Sequence, residues 1–259
     1  MSARYDSDFR AIFHSEDRGD LDFFRALVLA TDGDLCEVGA GTGRVLLAVA
    51  PLAGTRRVFG VEPSESMRDR LVAKLASPGS PRVEVLDGSF TELPLPEASL
   101  GLVFGAFRSF QHVLTVEAQL AALDELHRVL EPGGLLALDF FDPAYHILKR
   151  SRPTLGACYG TPDGTTVERW ESREVDRVAQ RVDVTFRWIE RRPDRSVVHD
   201  EAATYAVRYT FPNELIHLLA RSGFEAIDLR GGYDGRPLGK TPRELVVTAR
   251  KRPGSKAVR

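Results

Sequence analysis

Apolar residues at Leu21, Phe24, Leu27 and Val28 recur at helical spacing, and the pattern stops at Asp32-Gly33-Asp34, so a helix and then a turn are predicted. Leu35 to Val38 reads as a short buried strand, Arg44 to Ala50 as a helix ended by Pro51, Arg57 to Val61 as a second strand and Ser66 to Leu75 as a second helix. Val83 to Leu86 and Leu100 to Phe104 continue as strands, Glu117 to Leu130 as an amphipathic helix, and Leu135 to Phe141 as another apolar strand. Strands alternating with helices predict a mostly parallel, doubly wound α/β sheet covered on both faces.

The pattern changes after Asp142. Residues 142 to 164 are rich in Pro, Gly and small polar side chains. Val182, Val184, Phe186 and Trp188 then alternate with polar neighbours, Arg191 to Arg195 with Pro193 reads as a turn, and Tyr205, Val207 and Tyr209 alternate again. An antiparallel ribbon without a core of its own is expected there. Pro212 opens a helix over 213 to 222, Gly223 caps it, and strands at 224 to 230 and 244 to 250 follow. The expected division is an N-terminal helical cap (1–33), an α/β core (34–141), the ribbon insertion (142–210), a final helix and hairpin (211–250) and a frayed basic tail (251–259).

Composition narrows the classes. Thirty-five Lys and Arg against 37 Asp and Glu give a net charge of −2, which disfavours a phosphate-neutralising surface, so no nucleic-acid partner is expected. Two distant cysteines and six scattered histidines show no ligand spacing, so no metal is expected. No stretch approaches a membrane span and no leader pattern opens the chain, so a cytoplasmic protein without a membrane partner is expected, with a homodimer left open.

The densest chemical signal is Glu37-Val38-Gly39-Ala40-Gly41-Thr42-Gly43-Arg44, between a strand and a helix. Glycines let the chain turn sharply and let a ligand approach the main chain, while the first N–H groups of a helix favour an anionic group. The dinucleotide fingerprint needs glycine where Arg44 stands, and no phosphate loop occurs. Glu62 closes the next strand about 20 residues on, where a carboxylate can accept from both hydroxyls of a ribose. Asp87, in Leu86-Asp87-Gly88-Ser89-Phe90, closes the third strand, where it can accept from an exocyclic amine. Each alone is more often a solvated strand-end residue. Three successive strand ends nonetheless place all of them at one edge of the sheet.

Four segments in this order resemble the class I S-adenosylmethionine-dependent methyltransferases of small-molecule type: Leu35 to Val45, Val61-Glu62-Pro63-Ser64-Glu65-Ser66-Met67, Leu86 to Phe90, and Leu130-Glu131-Pro132-Gly133-Gly134-Leu135. The resemblance covers roughly residues 5 to 140 and 208 to 250. It implies a Rossmann-like fold with an antiparallel β insertion before the last helix and hairpin, and S-adenosyl-L-methionine as cofactor. By this resemblance Gly39 and Gly41 face the methionine portion, Glu62 the ribose, Met67 an adenine face, Asp87 the adenine amine, Ser89 and Phe90 the ring edge, and Gly105 and Ala106 the sulfonium. Glu37, Ala40, Thr42, Gly43, Arg44, Pro63 and Gly88 complete the cofactor set. Tyr5 sits where related enzymes fold an N-terminal helix over the cofactor, although Tyr5, Phe9 and Phe13 could equally pack a core.

Methyl transfer needs mainly an in-line acceptor and exclusion of water. An acceptor that must lose a proton benefits from a base, and His112, just past the fourth strand, is the candidate, with capping or packing of the next helix as the alternative. Arg108 is the candidate clamp for an anionic acceptor. Trp170, Tyr205, Arg208 and Tyr209 on the ribbon are candidate walls of an acceptor pocket, or simply hydrophobic cover for it. The expected activity is methylation of a nitrogen or oxygen on a small-molecule acceptor. A nicotinamide-dependent oxidoreductase and a catalytically silent cofactor-binding protein remain as alternatives.

Overall fold

Helix α1 (Ser2–Phe13) precedes an alternation of α2 (Asp20–Ala30), β1 (Leu35–Val38), α3 (Arg44–Val49), β2 (Val58–Val61), α4 (Glu65–Leu75), β3 (Glu84–Leu86), β4 (Leu100–Gly105), α5 (Val116–Val129) and β5 (Leu130–Phe141). The computed structural model describes residues 2–13, 18–143, 148–240 and 244–254. Every residue of β1, β2 and β4 is buried, because these short apolar runs are covered on both faces. One hydrophobic cluster joins Val38, Val61, Val103 and Leu138 to Leu123 and Leu126 of α5. The other joins Leu35, Val58, Leu102 and Ala137 to Phe24 and Val28 of α2 and Leu46 of α3. Alternation along the strands sends these two sets to opposite faces.

The chain divides into two compact units, Gly19–Asp142 with Thr210–Arg259, and Met1–Arg18 with Pro143–Tyr209. The second contains a four-stranded antiparallel sheet of β6 (Ser151–Gly160), β7 (Thr166–Asp176), β8 (Arg181–Arg191) and β9 (Val197–Arg208), in that order. Strand β6 lies within the ribbon insertion, in its stretch rich in Pro, Gly and small polar side chains, where the sequence pattern marks no individual strand. Pro153 and Gly156 mask it, and both fall where the register with β7 shifts. Proline and glycine are tolerated on such a bulged edge strand, which is held by its ladder and not by an alternating apolar face. Helix α1 belongs to this unit: its buried Asp8 accepts hydrogen bonds from Tyr159 Oη and Trp188 Nε1, both at 2.6 Å. Both hydrophobic clusters consist of residues of the other unit.

The chain returns to the large sheet through α6 (Pro212–Arg221), β10 (Phe224–Arg230) and β11 (Glu244–Lys251). Pro212 stands at the start of α6, and the Glu214 carboxylate accepts from the Phe211 N–H. Strand β11 runs antiparallel along β5, giving the seven-stranded order β10-β11-β5-β4-β1-β2-β3. The pairs β3–β2, β2–β1, β1–β4 and β4–β5 are parallel, so their carboxyl ends share one edge. The doubly wound sheet with its antiparallel insertion is the expected architecture. No helix among the described residues is long and apolar enough to cross a membrane.

Candidate active site

The turn from β1 to α3 is shaped by glycines at φ 75° (Gly39), 56° (Gly41) and 86° (Gly43), a region that side-chain-bearing residues enter with strain. Gly39 is doubly constrained, because a Cβ there would lie 2.6 Å from Cβ of Ser109. The amides of Gly39 and Ala40 donate to the Val61 carbonyl, tying the turn to the end of β2. Lys74 of α4 donates to the Thr42 carbonyl at 2.9 Å.

Glu62 sits against this turn, 8% exposed. Its Oε2 accepts the Gly41 N–H at 2.8 Å and its Oε1 accepts the Ser64 N–H at 2.9 Å. A carboxylate has about four acceptor sites, so each oxygen keeps capacity for a further donor such as a sugar hydroxyl. Arg68 of α4 bridges the next two strand ends, donating to the Glu62 carbonyl at 2.7 Å and to Asp87 Oδ1 at 2.8 Å. Asp87 itself is largely exposed. Met67 and Phe90 are buried nearby in sequence, and Phe90 packs edge-on against Phe110 at 5.3 Å.

Past β4, Ala106 is buried, and Phe107 and Arg108 adopt φ 53° and 65°, unusual for residues with side chains. The reason is Asp139, fully buried on β5: its carboxylate accepts from the Phe107 N–H (3.1 Å) and the Arg108 N–H (2.7 Å), and from the Tyr233 hydroxyl. The Arg108 guanidinium donates to Glu244 Oε1 at 2.7 Å and lies over the Phe141 ring, so the expected anion clamp is already paired with a carboxylate. A 3₁₀ turn over Ser109–His112 follows. Ser109 Oγ donates to the Val38 carbonyl at 3.2 Å, while His112 ends the turn and is exposed.

Glu37 is fully buried on β1, and one carboxyl oxygen has no hydrogen-bond partner among the described residues. Burial pushes its carboxyl well above the ordinary carboxylate range, against the pull of the Arg44 cation. Arg44 forms a bidentate pair with the fully buried Asp20 of α2. The arginine that breaks the dinucleotide fingerprint thus has a structural partner. Burial likewise raises the Cys36 thiol, which makes it an inert core residue.

Tyr5, Trp170, Tyr205, Arg208 and Tyr209 lie in the antiparallel unit. Trp170 pairs across strands with Arg187 and Tyr205 with Val184, an odd offset along β8, so the two rings stand on opposite faces of the sheet. Arg208 and Tyr209 are buried and bound to Gln180, the former through its guanidinium at 2.7 Å, the latter through backbone N–H and carbonyl. On the Tyr205 face, Arg169 stacks over Phe186 at 4.4 Å, and Phe186 also meets Tyr205 at 5.9 Å. The Tyr205 hydroxyl is buried without a hydrogen-bond partner among the described residues, and desolvation, with the charges of Glu201 and Asp8, pushes it up to about 12.

Sequence reasoning missed Asp139, Arg68 and Tyr233. A signal existed for Asp139, the only charged residue in the apolar run Leu135 to Phe141. Such a residue survives in a core only when its hydrogen bonds are satisfied.

Comparison with known proteins gives the same picture. The methyltransferase-domain family matches residues 35–134. An uncharacterised methyltransferase of Geobacillus kaustophilus is 30% identical over 146 residues, 54% of this chain and 59% of that protein. The first three curated relatives are matched over 59% to 65% of their length. The structure of the CcbJ methyltransferase from Streptomyces caelestis superposes with a TM-score of 0.74 at 26% identity, covering 90% of this chain and 94% of that one. The S-adenosylmethionine-bound amino pentose methyltransferase CalS10 from Micromonospora echinaspora shares the fold at 21% identity, with a TM-score of 0.71 and coverage of 95% and 96%. The glycine turn, the carboxylates closing β2 and β3, and the sheet order thus accompany a match to the methyltransferase-domain family over residues 35–134 and a similarity in sequence and fold to methyltransferases.

Proposed function

We propose that the protein transfers a methyl group from S-adenosyl-L-methionine to a nitrogen or oxygen nucleophile on a small molecule. The observation that carries this is Glu62, a buried carboxylate fixed by the Gly41 and Ser64 amides at the edge where the glycine turn ends. The residues fit the cofactor. The unpartnered oxygen of Glu37 suits a cationic ammonium, Glu62 a pair of sugar hydroxyls, and Asp87, steadied by Arg68, an exocyclic amine. A nicotinamide dinucleotide finds Arg44 where its third glycine belongs, locked to Asp20.

When bound, the cofactor supplies a methyl group activated by a sulfonium. The chain's own residues then have three tasks. The glycine turn and Glu62 orient the donor. The backbone of Gly105 and Ala106, set by the turn after β4, would line the cofactor's sulfonium side and help to exclude water there. His112, at the end of that segment, takes a proton from an acceptor that must lose one; mutagenesis of such a base lowers rates by about 10²–10⁴. Acceptor recognition is assigned to the antiparallel unit, with Tyr205 as its polar group.

The test is incubation with methyl-labelled cofactor and a panel of small amines and hydroxyl compounds that includes amino sugars, read by mass spectrometry. One methyl added to one or more members, lost with Glu62→Ala, is the expected result. Binding of the cofactor without transfer to any member would point to a catalytically silent protein.

A further inference from the structure

We infer that Asp139 is a positioning residue for cofactor binding: with Tyr233 it holds the segment after β4 in a strained conformation that braces the glycine turn. The inference rests on the proposed function only in assigning that turn to the cofactor.

Two adjacent residues with side chains, Phe107 and Arg108, both lie at positive φ. Such a pair persists only where its surroundings over-determine it. Here one carboxylate does so, taking both backbone N–H groups, one on each oxygen. Asp139 is fully buried and sits in the middle of the sheet, flanked by β4 and β11, so it cannot follow a moving loop. Tyr233, from the chain between β10 and β11, donates its hydroxyl to the same carboxylate and fixes its orientation.

The held segment reaches the glycine turn by direct contact. Ser109, one residue beyond the strained pair, donates to the Val38 carbonyl and occupies the space that a Cβ at Gly39 would need. It also lies 3.0 Å from where a Cβ at Gly105 would stand. On the other side, the Phe107 ring lies 5.8 Å from the guanidinium of Arg44, the residue that opens α3 just after the turn. The contacts thus run without a gap from Tyr233 through Asp139, Phe107 and Arg108 to Ser109 and Gly39. If the carboxylate is lost, the segment relaxes toward ordinary backbone angles, and the binding-competent turn becomes a fraction of the population. Apparent affinity falls in proportion to that fraction.

The experiment pairs Asp139→Asn with Tyr233→Phe. Calorimetric titration with S-adenosylhomocysteine, amide exchange at residues 107 and 108, and thermal melting are compared with wild type. In Asp139→Asn the carboxamide has an N–H group where a second acceptor is needed. Amides 107 and 108 should then exchange at least about tenfold faster while core amides of β1 and β4 are unchanged. If one molecule in about ten keeps the competent turn, affinity falls about tenfold. Tyr233→Phe should act in the same direction with a smaller size, and it serves alone if the first variant does not fold. Unchanged exchange at 107 and 108, or faster exchange with wild-type affinity, overturns the inference. A global loss of protection in both variants also overturns it, since that describes a merely structural role. If wild type binds no S-adenosylhomocysteine, the proposed function falls, and exchange at 107 and 108 alone decides whether Asp139 holds the segment.

Discussion

Single side chains at the sheet edge are set by how much water each has lost. Glu37 and Glu62 lie at the ends of neighbouring strands, yet of the two only Glu37 has an oxygen without a hydrogen bond among the described residues. Because burial raises its carboxyl, the folded chain holds a proton there that the unfolded chain releases. Stability from this source is complete below the ordinary carboxylate range and is lost as pH rises through the native value. Thermal melting between pH 5 and 8 should therefore show a falling melting temperature for the ligand-free protein, and Glu37→Gln, neutral throughout, should flatten that slope. Equal slopes would mean that the carboxyl is ionised in the native state across this range.

Among the elements, the β1–α3 turn joins more parts of the site than any helix does. Gly39→Ala adds one methyl group at φ 75° against Ser109. Strain of this kind costs about 1–3 kcal/mol, and thermal denaturation should show a loss of that size together with weaker cofactor binding. Wild-type stability and affinity would show that Ser109 yields freely. The strands and helices up to Phe141 were legible because their apolar runs and periodicities are written for burial on both faces. The glycine turn was legible because only glycine suits its backbone. Strand β6 was not, since its Pro153 and Gly156 sit at bulges of an edge strand where the ladder alone does the holding. Nor was the Asp139 network, whose members lie up to 126 positions apart, from Phe107 to Tyr233, and meet only once the sheet has formed.

At the scale of the whole molecule, the groups assigned to the cofactor, apart from Tyr5, lie in the unit of Gly19–Asp142 and Thr210–Arg259, which also holds both hydrophobic clusters. The groups assigned to acceptor recognition lie in the antiparallel unit, where Asp8 fastens α1 to β6 and β8. The central claim is that Glu62 binds the cofactor's ribose at that edge, and calorimetric titration of S-adenosylhomocysteine into wild type and Glu62→Gln tests it most directly. Wild type should bind one equivalent, and the folded variant should bind more weakly by about 1–3 kcal/mol, the loss expected when hydroxyl groups exchange a charged acceptor for a neutral one. Equal affinity in a folded variant, or no binding by wild type, would contradict it.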